Sequence, residues 1–100
     1  MTRSPGGARL MIGLAGTIVD EEFARTLRET GAHSVILFAR NLIDANQIIE
    51  LTTSIRALVS WPLVIAIDQE GGVVVRLEKG ITVFPGNMAL GHTHDPEIAK

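Results

Sequence analysis

Three mostly apolar runs of strand length mark the chain at residues 10–14, 34–38 and 63–67. Within each run the apolar residues are not interrupted by regular polar alternation. That pattern is typical of strands that are covered on both faces in a parallel sheet. We therefore predict three parallel strands, each buried on both faces.

Two segments with helical periodicity separate the three runs. In the first, Val19, Phe23 and Leu27 recur every four residues and predict a core-facing stripe. Asp20 is a suitable helix N-cap, and Gly31 is a suitable residue to end the helix. The first segment is therefore predicted to be a capped helix.

The second helical segment begins with Asp44 and Gln47 in the D-x-x-Q spacing of a capping box. Its apolar positions fit the 3.6-residue period and are Ile48, Leu51, Ile55, Leu58 and Val59. Trp61 and Pro62 are predicted to end it. The order strand, helix, strand, helix, strand predicts an α/β fold with right-handed crossovers.

Composition narrows the class of protein. The chain has 100 residues, 46% of them hydrophobic and 20% charged, with a net charge of −2, as expected for one globular domain. No basic surplus favours nucleic acid, and the absence of cysteine excludes disulfides and thiolate metal sites. No apolar run reaches the roughly 20 residues that span a bilayer. We expect a cytoplasmic protein without membrane or nucleic-acid partners, with residues 1–9 a flexible lead-in and 10–100 the domain.

A polar cluster, Asp68-Gln69-Glu70-Gly71-Gly72, directly follows the third apolar run. Ligands of parallel α/β proteins bind at the carboxyl ends of the strands, because the loops there converge. The cluster is therefore a candidate binding site. A turn with solvated acids and no function is the alternative interpretation.

Other candidate residues carry weaker signals. Alternation along 73–77 turns Arg76 away from its apolar neighbours and towards the Asp68 end, although a solvent-facing arginine fits the spacing equally well. His92 and His94 lack a third ligand nearby, so we predict no metal site. The glycines at 13 and 16 do not form a dinucleotide or P-loop motif, and nucleotide binding is not predicted.

Several segments together resemble the amino-terminal barrel domain of family 3 glycoside hydrolases, closest to the bacterial β-N-acetylglucosaminidase branch. They are ILFARN at 36–41, AIDQEGG at 66–72, VRL at 75–77, FP at 84–85 and MALG at 88–91. The resemblance covers the chain from about residue 10 onward. It implies that residues 10–100 hold the first three β/α units of a TIM-type (β/α)8 barrel with parallel strands and flanking helices.

The resemblance also implies two substrate-binding residues. Asp68 would contact sugar hydroxyls in the −1 subsite, and Arg76, eight positions later, would bind the same sugar. A carboxylate accepts hydrogen bonds from hydroxyls, and a guanidinium donates several in a fixed fork. The sequence departs from the family pattern at Val73, where arginine is usual, which removes a charge partner for Glu70.

The implied activity is retaining hydrolysis of terminal β-linked N-acetylglucosamine, as in peptidoglycan recycling, without a cofactor. The nucleophilic aspartate and the K-H-x-P-G-H-G acid/base loop are expected beyond residue 100, since neither motif occurs in the sequence. The helix start at 95–97 also suggests a longer chain. Alternatives are an inactive sugar-binding or interaction fragment, or the front of a β-glucosidase or β-xylosidase. Unpaired strand edges predict self-association of residues 1–100.

Overall fold

The computed structural model describes residues 6–69, 76, 82–83 and 85–98. The helices and strands are β1 Met11–Gly13, α1 Glu21–Thr30, β2 Ser34–Leu37, α2 Ala45–Ala57, β3 Val64–Ile67 and α3 Asn87–His92. Two short 3-10 turns, Gly7–Arg9 and Ala39–Asn41, precede β1 and follow β2.

The three strands form one parallel sheet in the order β1-β2-β3. Gly13 pairs with Ile36 in the first ladder, and Leu37 pairs with Ile67 in the second. The predicted α/β fold with parallel strands and intervening helices is therefore confirmed. Because all strands run in one direction, their carboxyl ends meet at one edge of the sheet.

Helix α1 has both predicted caps. The Asp20 carboxylate accepts a 2.7 Å hydrogen bond from the Phe23 backbone N–H. Gly31 has φ 68°, a left-handed conformation that glycine adopts without the steric cost of a Cβ. Phe23 and Leu27 are buried, so the predicted apolar stripe of α1 faces the core.

Helix α2 begins with half of the predicted capping box. The Asp44 carboxylate accepts a 2.8 Å hydrogen bond from the Gln47 N–H. The Gln47 side chain, however, accepts a 2.9 Å bond from the Ile43 N–H, one residue before the position that the motif predicts. Leu51 and Ile55 of α2 are buried in the core.

The core lies on one face of the sheet, which we call the helix face. Its members alternate along the strands and are Ile12, Leu14, Val35, Leu37 and Ile65. Side chains of α1 and α2 join the same apolar cluster. Both helices therefore cover the same face, as two successive right-handed crossovers require.

The opposite face, which we call the open face, is less covered. Its members are Met11, Gly13, Ser34, Ile36, Val64 and Ala66. Met11 is 48% exposed and Val64 is 62% exposed. The prediction of strands buried on both faces is therefore wrong for these strands, because α1 and α2 both pack on the helix face.

The amino-terminal ends of β2 and β3 are joined by Trp61. Its indole Nε1–H donates a 2.8 Å hydrogen bond to the Ala32 carbonyl, and its ring stacks on His33 with 6.0 Å between centroids. The Val64 N–H also donates to the His33 carbonyl at 2.9 Å. These contacts lie at the amino-terminal ends of the strands, whereas Asp68 lies at the carboxyl end of β3. The stacking on Trp61 gives His33 a packing role.

Two segments differ from the sequence interpretation. Gly7–Arg9, placed in the flexible lead-in, form a 3-10 turn in which Gly7 is buried against Thr30, where a Cβ would lie 1.7 Å from the carbonyl oxygen. Asn87–His92 form α3, a helix that the sequence pattern did not predict. A six-residue helix is too short to show a repeating apolar period.

Some sequence predictions fall outside the described residues, namely those on Glu70, Gly71 to Val75 and 77–81. In the part of the chain that is described, no helix has the length and apolarity needed to cross a membrane. The same residues contain no group of three or more side chains suited to hold a metal ion. The Asp95 carboxylate accepts a 3.0 Å hydrogen bond from the Glu97 N–H, and residues 96–98 form a turn, so the predicted helix start stays a prediction.

Candidate functional site

Asp68 lies at the carboxyl end of the edge strand β3 and is exposed. Alternation along β3 places Asp68 on the same side as Ala66, which is the open face. The register Leu37↔Ile67 sets Phe38 beside Asp68, one position beyond the last paired residues. A carboxylate thus stands at the strand ends on the side that the helices leave uncovered.

Arg76 lies at the same carboxyl end of β3 as Asp68. Its backbone N–H donates a 2.9 Å hydrogen bond to the Gln69 side-chain oxygen, next to Asp68. Arg76 is half-buried, and its Nε atom is buried without a hydrogen-bond partner among the described residues. The two residues predicted to bind substrate are therefore brought to one end of one strand, while Glu70 and Val73 lie outside the described residues.

Arg40 is held over the open face at the end of β2. Its Nε–H donates a 3.1 Å hydrogen bond to the Leu14 carbonyl, and its guanidinium carbon lies 4.8 Å from the centre of the Phe38 ring. A Cβ on Gly13 would lie 3.5 Å from Nη2 of Arg40 and 3.8 Å from the Phe38 ring. Arg40 and Phe38 therefore lie on the Gly13 side of the sheet, which is also the side of Asp68.

Asn41 is fully buried and connects the ends of β1 and β2. Its Oδ1 accepts a 2.8 Å hydrogen bond from the Phe38 N–H. Its Nδ2 donates to the carbonyls of Leu14 at 2.9 Å and Gly16 at 2.7 Å. With these three bonds one amide side chain satisfies backbone groups of two loops that border the candidate site.

Gln47 adds a second connection between the same loops. Its Nε2 donates to the Thr17 carbonyl and to the Asn41 carbonyl, both at 2.9 Å. Since Gln47 sits in the first turn of α2, these bonds tie the loop after β1 to the helix that follows β2. The carboxyl-terminal loops of β1 and β2 are thereby fixed relative to each other.

Sequence reasoning identified Asp68 and Arg76 but not the roles of Arg40 and Asn41. Both residues immediately follow the second apolar run, at the same end of the sheet as Asp68. That position after a buried parallel strand was the available signal. Their contacts with Leu14, 26 and 27 residues away, are tertiary and no local pattern indicates them.

The site combines a carboxylate acceptor with guanidinium donors on an exposed sheet end. Sugar hydroxyls both donate and accept hydrogen bonds, so this donor and acceptor set matches a saccharide. The fold is that of a parallel α/β protein, and its candidate ligand site lies at the carboxyl ends of the strands. Comparison with known proteins makes the class more specific.

Residues 9–100 match the family described as the glycosyl hydrolase family 3 N terminal domain, and the chain belongs to that family. It is 46% identical over 86 residues to a β-hexosaminidase of Nitrosomonas eutropha, covering 86% of this chain and 25% of that protein. It is 37% identical over 92 residues to a β-hexosaminidase of Xylella fastidiosa, covering 90% of this chain and 28% of that protein.

Solved structures show the same likeness. The family 3 β-N-acetylglucosaminidase of Paenibacillus sp. str. FPU-7 superposes with a TM-score of 0.86 at 39% identity, covering 93% of this chain and 18% of that chain. NagZ from Neisseria gonorrhoeae, in complex with N-trifluoroacetyl-D-glucosamine, superposes with a TM-score of 0.81 at 35% identity, covering 95% and 27%. The chain thus spans roughly a quarter of the length of the curated relatives it matches.

Proposed function

We propose that the protein hydrolyses terminal β-linked N-acetylglucosamine and that residues 10–100 supply part of the sugar-binding subsite. The observation that carries this proposal is the position of Asp68, exposed at the carboxyl end of β3 on the open face, with Arg76 beside it. The names of the relatives support an N-acetylhexosamine rather than glucose or xylose as the sugar.

The proposed architecture is the beginning of a TIM-type (β/α)8 barrel that contains the first three β/α units. In such a barrel the helices surround the sheet, and the inner face of the strands points to the barrel interior. The sheet described above is covered by α1 and α2 on the helix face only, which fits an open face that becomes the interior. Residues 10–100 would then form part of the barrel domain, with 1–9 leading into it.

Asp68 and Arg76 are proposed to bind the sugar in the −1 subsite. The Asp68 carboxylate would accept hydrogen bonds from two sugar hydroxyls, while Arg76 would donate to oxygens of the same ring. The buried, unpartnered Nε of Arg76 supports this role, because a buried charged donor is costly unless a hydrogen-bond acceptor reaches it. A saccharide oxygen would supply that acceptor.

Retaining hydrolysis requires a carboxylate nucleophile and an acid/base group, which are about 5 to 5.5 Å apart where both are carboxyl groups. We assign neither role to Asp68, which is proposed to hold the sugar. The nucleophile and the acid/base are proposed to come from segments outside residues 1–100. The protein is proposed to act in the cytoplasm, on saccharides released in peptidoglycan recycling.

The test is a comparison of substrates with the complete gene product that contains these residues. We expect hydrolysis of a chromogenic β-N-acetylglucosaminide and much slower hydrolysis of the matching β-glucoside and β-xyloside. Asp68→Asn should lower kcat/KM for the N-acetylglucosaminide by about 100-fold, the size of a charge-assisted hydrogen-bond loss. The matched control is Glu50→Gln, which removes an exposed carboxylate on α2 and should leave kcat/KM unchanged.

Two results would contradict the proposal. Absence of hydrolysis of all three glycosides would favour a sugar-binding or interaction role without catalysis. Faster hydrolysis of the glucoside or xyloside would assign the protein to another branch of the family.

A further inference from the structure

We infer that Arg40 is a third substrate-contacting residue besides Asp68 and Arg76, which donates hydrogen bonds to saccharide oxygens on the β1 side of the site, opposite Asp68. This inference rests on the proposed function. It arises from the contacts of Arg40 itself, an exposed residue that is nevertheless held on two sides.

The Arg40 guanidinium is preorganised. Its Nε–H is bound to the Leu14 carbonyl at 3.1 Å, and its flat face lies 4.8 Å from the Phe38 ring centre. Asn41 in turn holds both partners, through the Phe38 N–H at 2.8 Å and the Leu14 carbonyl at 2.9 Å. A guanidinium fixed in this way loses little side-chain entropy when it binds a ligand.

The Nη groups of Arg40 remain available as hydrogen-bond donors to a ligand. An arginine has five N–H donors, and the Nε–H is the one bonded among the described residues. Within the described ranges neither Nη group has a carboxylate or carbonyl partner. The paired Nη groups form the fork that suits hydroxyl or carbonyl oxygens of a saccharide.

Arg40 and Asp68 lie on opposite sides of the open face. Arg40 leans over Gly13 of β1, and Asp68 ends β3, with β2 between them. Adjacent strands lie about 4.8 Å apart, and Asp68 lies two residues beyond Ala66, which is level with Gly13, so the two groups stand roughly 12 Å apart across the open face. This gap accommodates one pyranose ring with a hydrogen bond at each end.

The experiment uses the complete gene product and three substitutions at one position. Arg40→Gln should lower kcat/KM for a chromogenic β-N-acetylglucosaminide by about 10- to 100-fold and weaken inhibition by free N-acetylglucosamine. Arg40→Lys, which keeps the charge but not the fork, should lose less activity. Activity of Arg40→Ala should recover in part when millimolar guanidinium ion is added, a response that a purely structural role would not give.

The control is Arg25→Gln, which removes an exposed arginine of α1 on another surface. Urea unfolding of each variant shows whether the fold survives, and the guanidinium rescue keeps the test informative for a destabilised variant. Unchanged kcat/KM and inhibition in folded Arg40→Gln would overturn this inference and leave the proposed function standing. If the unsubstituted protein neither hydrolyses nor binds saccharide, the proposed function fails, and this inference fails with it.

Discussion

Replacing Asn41 by alanine should destabilise the protein strongly without changing its surface. The side chain is fully buried and makes three hydrogen bonds to backbone groups of Leu14, Gly16 and Phe38. Alanine would leave the Phe38 N–H and the Gly16 carbonyl without this partner, whereas the Leu14 carbonyl would keep the hydrogen bond from Arg40 Nε. Since Gly16 is only partly buried, water reaches its carbonyl most easily.

The expected loss in the free energy of unfolding follows from two groups that stay buried, the Phe38 N–H and the Leu14 carbonyl. The Phe38 N–H, which would lose its partner, costs about 1–3 kcal/mol, and the Leu14 carbonyl, which would keep the hydrogen bond from Arg40 Nε, adds about 1 kcal/mol for the bond that is lost, so the two together predict about 3 kcal/mol. Domains of this size are stable by roughly 5–15 kcal/mol, which makes this a large fraction. With a urea m-value of about 1.5 kcal/mol/M, the unfolding midpoint should fall by about 2 M.

Urea unfolding followed by circular dichroism measures this shift. Asn46→Ala is the matched control, because Asn46 is an exposed asparagine in the first turns of α2 and its loss should change stability by less than about 0.5 kcal/mol. Asn41→Asp should be at least as damaging as Asn41→Ala, since a carboxylate would face two carbonyl oxygens. A loss below about 1 kcal/mol in Asn41→Ala would refute the assigned hydrogen-bond role.

Two further predictions concern Gly7, near the start of the described residues, and the activity of residues 1–100 expressed alone. Gly7→Ala should lower the free energy of unfolding by about 1–3 kcal/mol, because its Cβ would lie 1.7 Å from the Thr30 carbonyl oxygen. Gly6→Ala is the control, since a Cβ there meets nothing within 4 Å. Equal melting temperatures of the two variants would contradict this prediction. Residues 1–100 expressed alone should not hydrolyse a chromogenic β-N-acetylglucosaminide. A robust rate that Asp68→Ala abolishes would show that the catalytic groups lie within them.

Local signals predicted most of the fold. The carboxylates of Asp20 and Asp44 bind N–H groups three residues away, and Gly31 needs only its own backbone freedom. Such features depend on residues close together in the sequence, and the sequence therefore predicts them. The apolar runs likewise predicted strands at the correct places, and α3 was missed because six residues carry too short a period.

The candidate site was predicted in part. Asp68 and Arg76 were identified from their position after β3 and from a family resemblance, and the structure brings both to that strand end. Their role in binding substrate stays a prediction. The contributions of Arg40 and Asn41 depend on how the end of β2 meets the end of β1, and no spacing in the sequence encodes that contact.

The sequence alone determined three parallel strands, two capped helices and a polar cluster after the third strand, because these follow from periodicity and from capping within a few residues. The tertiary structure decided that both helices cover one face and that Arg40, Phe38 and Asp68 share the other. The physical reason is that burial depends on which face the crossovers select and on the strand register. Both properties arise only when residues distant in the chain pack together.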